Sequence, residues 1–174
     1  MQSLLLLPLV VLASPPPELK VQANGLEQNK RLVRRVYEEC INGGKFELLD
    51  SLIADGFQGA PGSPGAQGLQ GPAAFAAPLK ALHQAFPDIH YEVLDLLAEG
   101  DRVAIRWRWT GTHQAQFTAY PATHRKMSND GMAVFRVEGG KIAASWIQTD
   151  RLGFLQEMGA VSKDLGRPPP PAPK

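Results

Sequence analysis

The chain has one cysteine among its 174 residues, Cys40, so no disulfide can form within it. Its four histidines, His83, His90, His113 and His124, show no metal-ligand spacing with acids or with Cys40, and no HExxH, CxxC or glycine-rich phosphate loop occurs. Nothing in the motifs calls for a metal. Charge of one sign is also missing: 18 basic and 17 acidic residues are interspersed and leave a formal charge of +1. That balance gives no electrostatic footprint for nucleic acid or for an anionic membrane. Arg106 and Arg108 alternate with Trp107 and Trp109, which is ordinary strand amphipathicity rather than a base-stacking platform. The apolar run Leu4 to Ala13 is too short to span a bilayer as a helix.

What is present suffices for one domain, since 44% of the residues are apolar and a chain of this length supports a single core. Residues 1–24 read as a leader. The run before Ser14 and Pro15-Pro16-Pro17 looks like the core of a secretory signal peptide, although no Lys or Arg precedes it. Export to a periplasm or the exterior is the expectation, and a cytoplasmic location follows if the leader is not a working signal. The domain proper is expected over 25–162, with a proline-rich disordered tail at 163–174.

Three helices come first. Leu32, Val33, Val36, Tyr37, Cys40 and Ile41 form an apolar stripe over Gly25 to Gly43, which makes Cys40 a small core residue rather than a nucleophile. A short helix is expected from Phe46 to about Ala54, and another from Pro72 carrying Phe75, Leu79, Leu82 and Phe86. Between them, in 56–71, glycine falls on every third position. This register is collagen-like but short, so the segment is expected to be an extended surface loop.

From Asp88 the period changes to two. Strands are expected at Ile89 to Leu97, Arg102 to Thr110, Gly131 to Val137 and Lys141 to Thr149, with a further one at Gln114 to Tyr120. Glu138-Gly139-Gly140 supplies a hairpin turn. A last helix with Leu152, Leu155 and Met158 ends at Gly159. The order predicts an α+β domain in which a curved, mostly antiparallel sheet wraps around the N-terminal helices.

Strict alternation in the last strand puts Ile142, Ala144, Trp146, Gln148 and Asp150 on one face, so that a carboxylate lies in line with an indole. Asp150 stands where a strand hands over to a helix. It is either a helix cap or an acid/base group at the rim of whatever the sheet encloses, and the two roles are compatible. Trp107, Trp146, Phe117, Tyr37 and Phe86 are the candidate pocket residues. Period-two parity does not say which aromatic row faces inward, and an outward row would suit a subunit interface.

The stretches AFPDIHYEVLDLLAEGDRVAIRWRWTGTH, EGGKIAASW and WIQTD with LGFLQEMGA resemble, in that order, the SnoaL-like polyketide cyclases, or ester cyclases, of the nuclear-transport-factor-like superfamily. The resemblance covers about Gln28 to Val161. It implies a cone-shaped α+β barrel, frequently a homodimer through the open sheet face, with no metal or organic cofactor and a polyketide-like or other small apolar ligand. It also implies that Asp150 serves as the acid/base of an aldol-type cyclisation, and that His113 of the GTH motif donates a hydrogen bond to a substrate oxygen. An isomerase, an epoxide hydrolase or a non-catalytic ligand-binding domain is the alternative on the same fold. The family often has His or Asn where Gln58 follows Phe57, so one pocket polar group has no match.

Overall fold

The computed structural model describes residues 17–59 and 65–164. The signal-like run and the proline-rich end of the tail lie outside the described residues. Helix α1 spans Pro17–Arg35, beginning ahead of the expected Gly25, and continues as a π-helical segment, Val36–Asn42. That wider turn buries Val36, Tyr37, Cys40 and Ile41 together. A 3₁₀ turn at Phe46–Leu48 leads into the one-turn helix α2, Leu49–Leu52, and α3 follows at Gly71–Ala85 with Pro72 in its first turn. Among the described residues no helix is long and apolar enough to cross a membrane.

Four antiparallel strands form one open sheet in the order β1 (His90–Glu99), β2 (Arg102–Thr112), β3 (Lys126–Glu138) and β4 (Lys141–Thr149). Helix α4, Arg151–Glu157, closes the chain at the end of β4. Asn42 serves the free edge of β1, its side chain donating to the Tyr91 carbonyl at 2.8 Å and accepting from the Tyr91 N–H at 2.7 Å. Buried on the sheet's inner face are Val103, Ile105, Trp107 and Trp109 from β2, and Met127, Ala133, Phe135 and Val137 from β3. Val33, Val36, Leu49 and Phe75 from the helices, with Phe86 just past the end of α3, belong to the same core. The expected α+β architecture is present, with the sheet curved over its N-terminal helices.

Two bulges account for the sheet's curvature, because each extra residue increases local bend and twist. Val93 pairs with Trp107 and Asp95 with Arg106, so Leu94 is extra in β1; Val137 pairs with Ile142 and Arg136 with Ala144, so Ala143 is extra in β4. The second bulge corrects the alternation read from the sequence. Ile142 points inward and is fully buried, but beyond Ala143 the parity flips. Ser145, Ile147 and Thr149 then lie opposite Phe135, Ala133 and Gly131 on the inner face, while Ala144, Trp146 and Gln148 lie on the outer face.

The strand expected at Gln114 to Tyr120 is a loop. Phe117 and Tyr120 bond only each other's backbone, at 2.9 and 3.0 Å, and Thr118 between them has φ +53°. The glycine-periodic segment is tied at its base, where Gln58 bridges Gln70 and the Gly71 N–H donates to the Phe57 carbonyl at 2.8 Å. An interchain triple helix over the whole register is incompatible with that closed base.

Candidate functional site

The inner face of β2 carries the interior past Trp107 and Trp109 toward His113, just beyond the strand, where β2 leaves the sheet for the loop to β3. His113 is fully buried. Its Nδ1 accepts the Thr123 amide N–H at 3.1 Å, so the proton of the neutral ring sits on Nε2. That Nε2–H is buried and has no partner among the described residues. Burial pushes the imidazole pKa below the ordinary 6.5, aided by His124 and Arg125; the nearby Ala115 carbonyl favours the charged form without forming a hydrogen bond at Nε2. The group is therefore a neutral donor.

Aromatic rings enclose it. Phe86 stacks on the imidazole at 4.9 Å and meets Trp109 at 5.1 Å and Phe117 at 6.0 Å. Phe154, from the inner side of α4, touches Trp109 and Phe117 at 6.1 and 5.8 Å. Of the predicted site residues, His113, Phe86 and Phe117 are thus brought together.

Trp107 and Tyr37 form a second group. The Tyr91 ring lies 5.1 Å from the Trp107 ring and 5.8 Å from that of Tyr37. Burial raises the pKa of both tyrosines well above the ordinary range, so their hydroxyls stay protonated. The Trp107 Nε1–H is buried; the Tyr37 hydroxyl is close enough to interact with it, yet no hydrogen bond of ordinary geometry forms. Gly131 opposite Trp107 must be glycine, since a Cβ there would sit 2.3 Å from the indole's Cη2 and Cζ2 atoms.

Asp150 is exposed and caps α4, its carboxylate accepting the Gly153 N–H at 2.8 Å. Gly153 makes room for it, because a Cβ there would lie 2.1 Å from a carboxylate oxygen. The peptide of Asp150 is fixed from below: its N–H donates to the Asp130 carbonyl at 2.9 Å, and its carbonyl accepts from the buried Asn129 amide at 2.7 Å. Asp150 makes no hydrogen bond to His113. Trp146 is not beside it in the interior either, lying 53% exposed on the outer face with the Arg102 guanidinium 4.8 Å from its ring.

In place of Trp146, the inner side of β4 offers Ile147 and Thr149, both exposed although they face inward. They lie opposite Ala133 and Gly131, and Asp150 directly follows Thr149. Alternation alone does not find them, because the bulge that turns them inward leaves no composition signal. Phe154 and Tyr91 were not among the expected site residues: the helical spacing of Leu152, Leu155 and Met158 passes over Phe154, and the only signal for Tyr91 is its place two residues after Ile89 in the first strand. Cys40 is no nucleophile, its thiol pushed up to about 11 by burial. Among the described residues no group of three His, Cys, Asp or Glu side chains could hold a metal ion.

Residues 31–158 match the family model described as SnoaL-like polyketide cyclase. Aklanonic acid methyl ester cyclase DauD of Streptomyces sp. strain C5 is 30% identical over 146 residues, covering 82% of this chain and 90% of the relative. Aklanonic acid methyl ester cyclase DnrD of Streptomyces peucetius is 30% identical over 129 residues, 74% of this chain and 88% of the relative. Among solved structures, a protein assigned as a polyketide cyclase from Acidithiobacillus ferrooxidans is 28% identical with a TM-score of 0.66, covering 76% of this chain and 95% of its own. TsrD from Streptomyces laurentii, at 21% identity and TM-score 0.70 over 78% of this chain and 97% of its own, shares the fold.

Proposed function

Because this chain belongs to the SnoaL-like polyketide cyclase family, we propose that it closes a ring on a small, polyketide-like carbonyl compound by an aldol-type step. The observation that carries the reading is the neutral, fully buried His113 with its Nε2–H unpartnered among aromatic rings. Such a donor suits an oxygen on which negative charge develops. In the step, Asp150 takes a proton from a carbon flanked by carbonyls. The resulting carbanion adds to a ketone carbon within the same molecule, forming the new C–C bond. The alkoxide so formed recovers the proton from Asp150. A substrate seated against the exposed Ile147 and Thr149 excludes water from the neighbouring carboxylate and strengthens electrostatic interactions there.

The test is proton exchange of β-keto ester probes in deuterated buffer, followed by NMR with wild type and Asp150→Asn. The expected result is acceleration by wild type that the variant loses, and cyclisation of aklanonic acid methyl ester, the compound named for the relatives, would extend it. A second reading, a non-catalytic binding domain for a small apolar ligand, is favoured by one observation: the exposed Asp150 already serves as a helix cap. Exchange no faster than in buffer would select it.

The same reading includes a homodimer through the outer sheet face. Leu97, Ala104, Val134 and Trp146 are register partners in one row across all four strands, and Leu97 and Trp146 are 69% and 53% exposed. An apolar row of this kind, flanked by Arg102 and Arg136 and by the Arg106–Asp95 and Arg108–Asp130 ion pairs, suits association of like surfaces. Light scattering is expected to give a dimer mass for wild type and a monomer mass for Trp146→Glu.

A further inference from the structure

Strand β2 outruns one of its neighbours. It pairs with β3 as far as Thr112, opposite Lys126, but with β1 only as far as Thr110, opposite His90. The segment Gly111-Thr112-His113-Gln114 therefore has one side on which no strand supplies partners for its backbone. The turn between α3 and β1 takes that place. The Asp88 carboxylate accepts the Thr112 N–H at 2.6 Å and the Thr112 hydroxyl at 2.7 Å, one through each oxygen. Beyond His113, the Ala85 carbonyl accepts the Gln114 N–H at 2.8 Å and the Ala115 N–H at 3.3 Å. Between these two attachments Phe86 lays its ring on the His113 imidazole, with 21° between the planes. Gly111 permits the approach, since a Cβ there would lie 3.2 Å from the Ile89 Cα and 3.3 Å from the Phe86 Cβ.

One turn thus grips His113 from both flanks. On the opposite side the His113 N–H donates to the Arg125 carbonyl at 3.0 Å, its carbonyl accepts the His124 N–H at 2.9 Å, and Nδ1 takes the Thr123 N–H at 3.1 Å. That last bond selects the tautomer, and it persists only while the backbones of His113 and Thr123 stay in register. The bonds from the Thr112 N–H and hydroxyl, with Lys126 nearby, hold the Asp88 carboxyl below the ordinary carboxylate range, so it is an anion at neutral pH and both bonds are charge-assisted. Asp88 is exposed whereas His113 is fully buried, so the carboxylate acts on the imidazole through the backbone and not by contact.

We propose that Asp88 is a positioning residue for His113: by anchoring Thr112 it keeps the buried imidazole in the one tautomer and orientation that presents Nε2–H to the interior. The inference rests on the reading of His113 as donor to a substrate oxygen, and it extends that reading to the turn Phe86-Pro87-Asp88. Without the anchor, Thr112 is loose on the side that lacks a strand. Nδ1 then parts from the Thr123 N–H for some of the time, and the ring proton divides between the two nitrogens.

The test reads the ring nitrogens of His113 by ¹⁵N NMR at neutral pH, with the signals assigned through His113→Gln. Wild type is expected to show a single neutral tautomer, Nδ1 bare and Nε2 protonated. Asp88→Ala is expected to move the two nitrogen signals toward each other, the pattern of exchanging tautomers. Asp88→Asn, which keeps an acceptor for the Thr112 N–H, is expected to fall between the two. Thr112→Val deletes the hydroxyl bond alone; it carries the test if Asp88→Ala does not fold, with a smaller movement in the same direction. In the β-keto ester exchange assay Asp88→Ala is expected to lower kcat about tenfold and to leave KM within about twofold. His113 nitrogens that stay in place in Asp88→Ala, even with a lower melting temperature, would overturn the proposal and leave Asp88 a clamp on the turn and nothing more. Moved nitrogens with an unchanged kcat would overturn it as well. A wild type without exchange activity would sink the cyclase reading alone, and the NMR comparison then decides the positioning by itself.

Discussion

The two faces of one sheet differ more than any two elements of the molecule. On the inner face, β2 presents Val103, Ile105, Trp107 and Trp109, all buried, and the residues between them put Arg102, Arg106 and Arg108 into solvent on the other. The same period of two thus builds an interior with unpartnered donors and an exterior of ion pairs crossed by one apolar row. Polar groups outside are solvated and contribute little individually. Inside, a few such groups stand out because almost nothing else there is polar.

This contrast is broken most severely from within. Phe135→Ala is expected to lower unfolding free energy by about 3–5 kcal/mol in urea denaturation, since a fully buried ring leaves a cavity. Met132→Ala, on the outer face and 56% exposed, is expected to stay within roughly 0.5 kcal/mol. Gly131→Ala comes next, at about 1–3 kcal/mol, because the new methyl displaces Trp107. Its signature is movement of the Trp107 indole signal, which Met132→Ala leaves alone. Removal of the α4 cap by Asp150→Ala is expected to cost about 1 kcal/mol. Gly153→Ala should act in the same direction by expelling the carboxylate, and a double-mutant cycle is expected to show the two effects overlapping rather than adding.

A smaller effect concerns pH. Burial lowers the pKa of both His83 and His113 below the ordinary 6.5. Below that value the unfolded chain takes up protons that the folded chain refuses, so their contribution is complete above it and is lost as pH falls toward the folded values. The melting temperature is expected to drop between about pH 7.5 and about pH 5.5, with a shallower drop in a His83→Phe, His113→Gln double variant. An unchanged slope in that variant would assign the acid sensitivity to other groups.

Most of the fold was legible because its signals are local. The stripe from Leu32 to Ile41, the turn at Gly139 and Gly140, and the alternation of Arg102 to Thr110 each fix an element with neighbours a few residues away. The Gln114 to Tyr120 segment misled because its residues suit a strand, whereas the backbone turns at Thr118 and bonds to itself. His113 and Phe86 could be named from the motifs and do meet in the interior. The unbroken alternation from Ile142 to Trp146 did not hold, because the unpaired residue Ala143 puts those two side chains on opposite faces of the sheet.

The sequence by itself determined the four strands of the sheet and most of the helices, their order, the apolar and polar sides of the central strands, and the family, since these follow from local spacing and motifs along the chain. Tertiary structure alone decided which half of β4 faces inward, that Ile147 and Thr149 rather than Trp146 lie on the inner face, and that the buried His113 Nε2–H has no hydrogen-bond partner among the described residues. The physical reason is that a bulge and an unsatisfied donor are defined by partners on other strands. No periodicity within a single strand contains them.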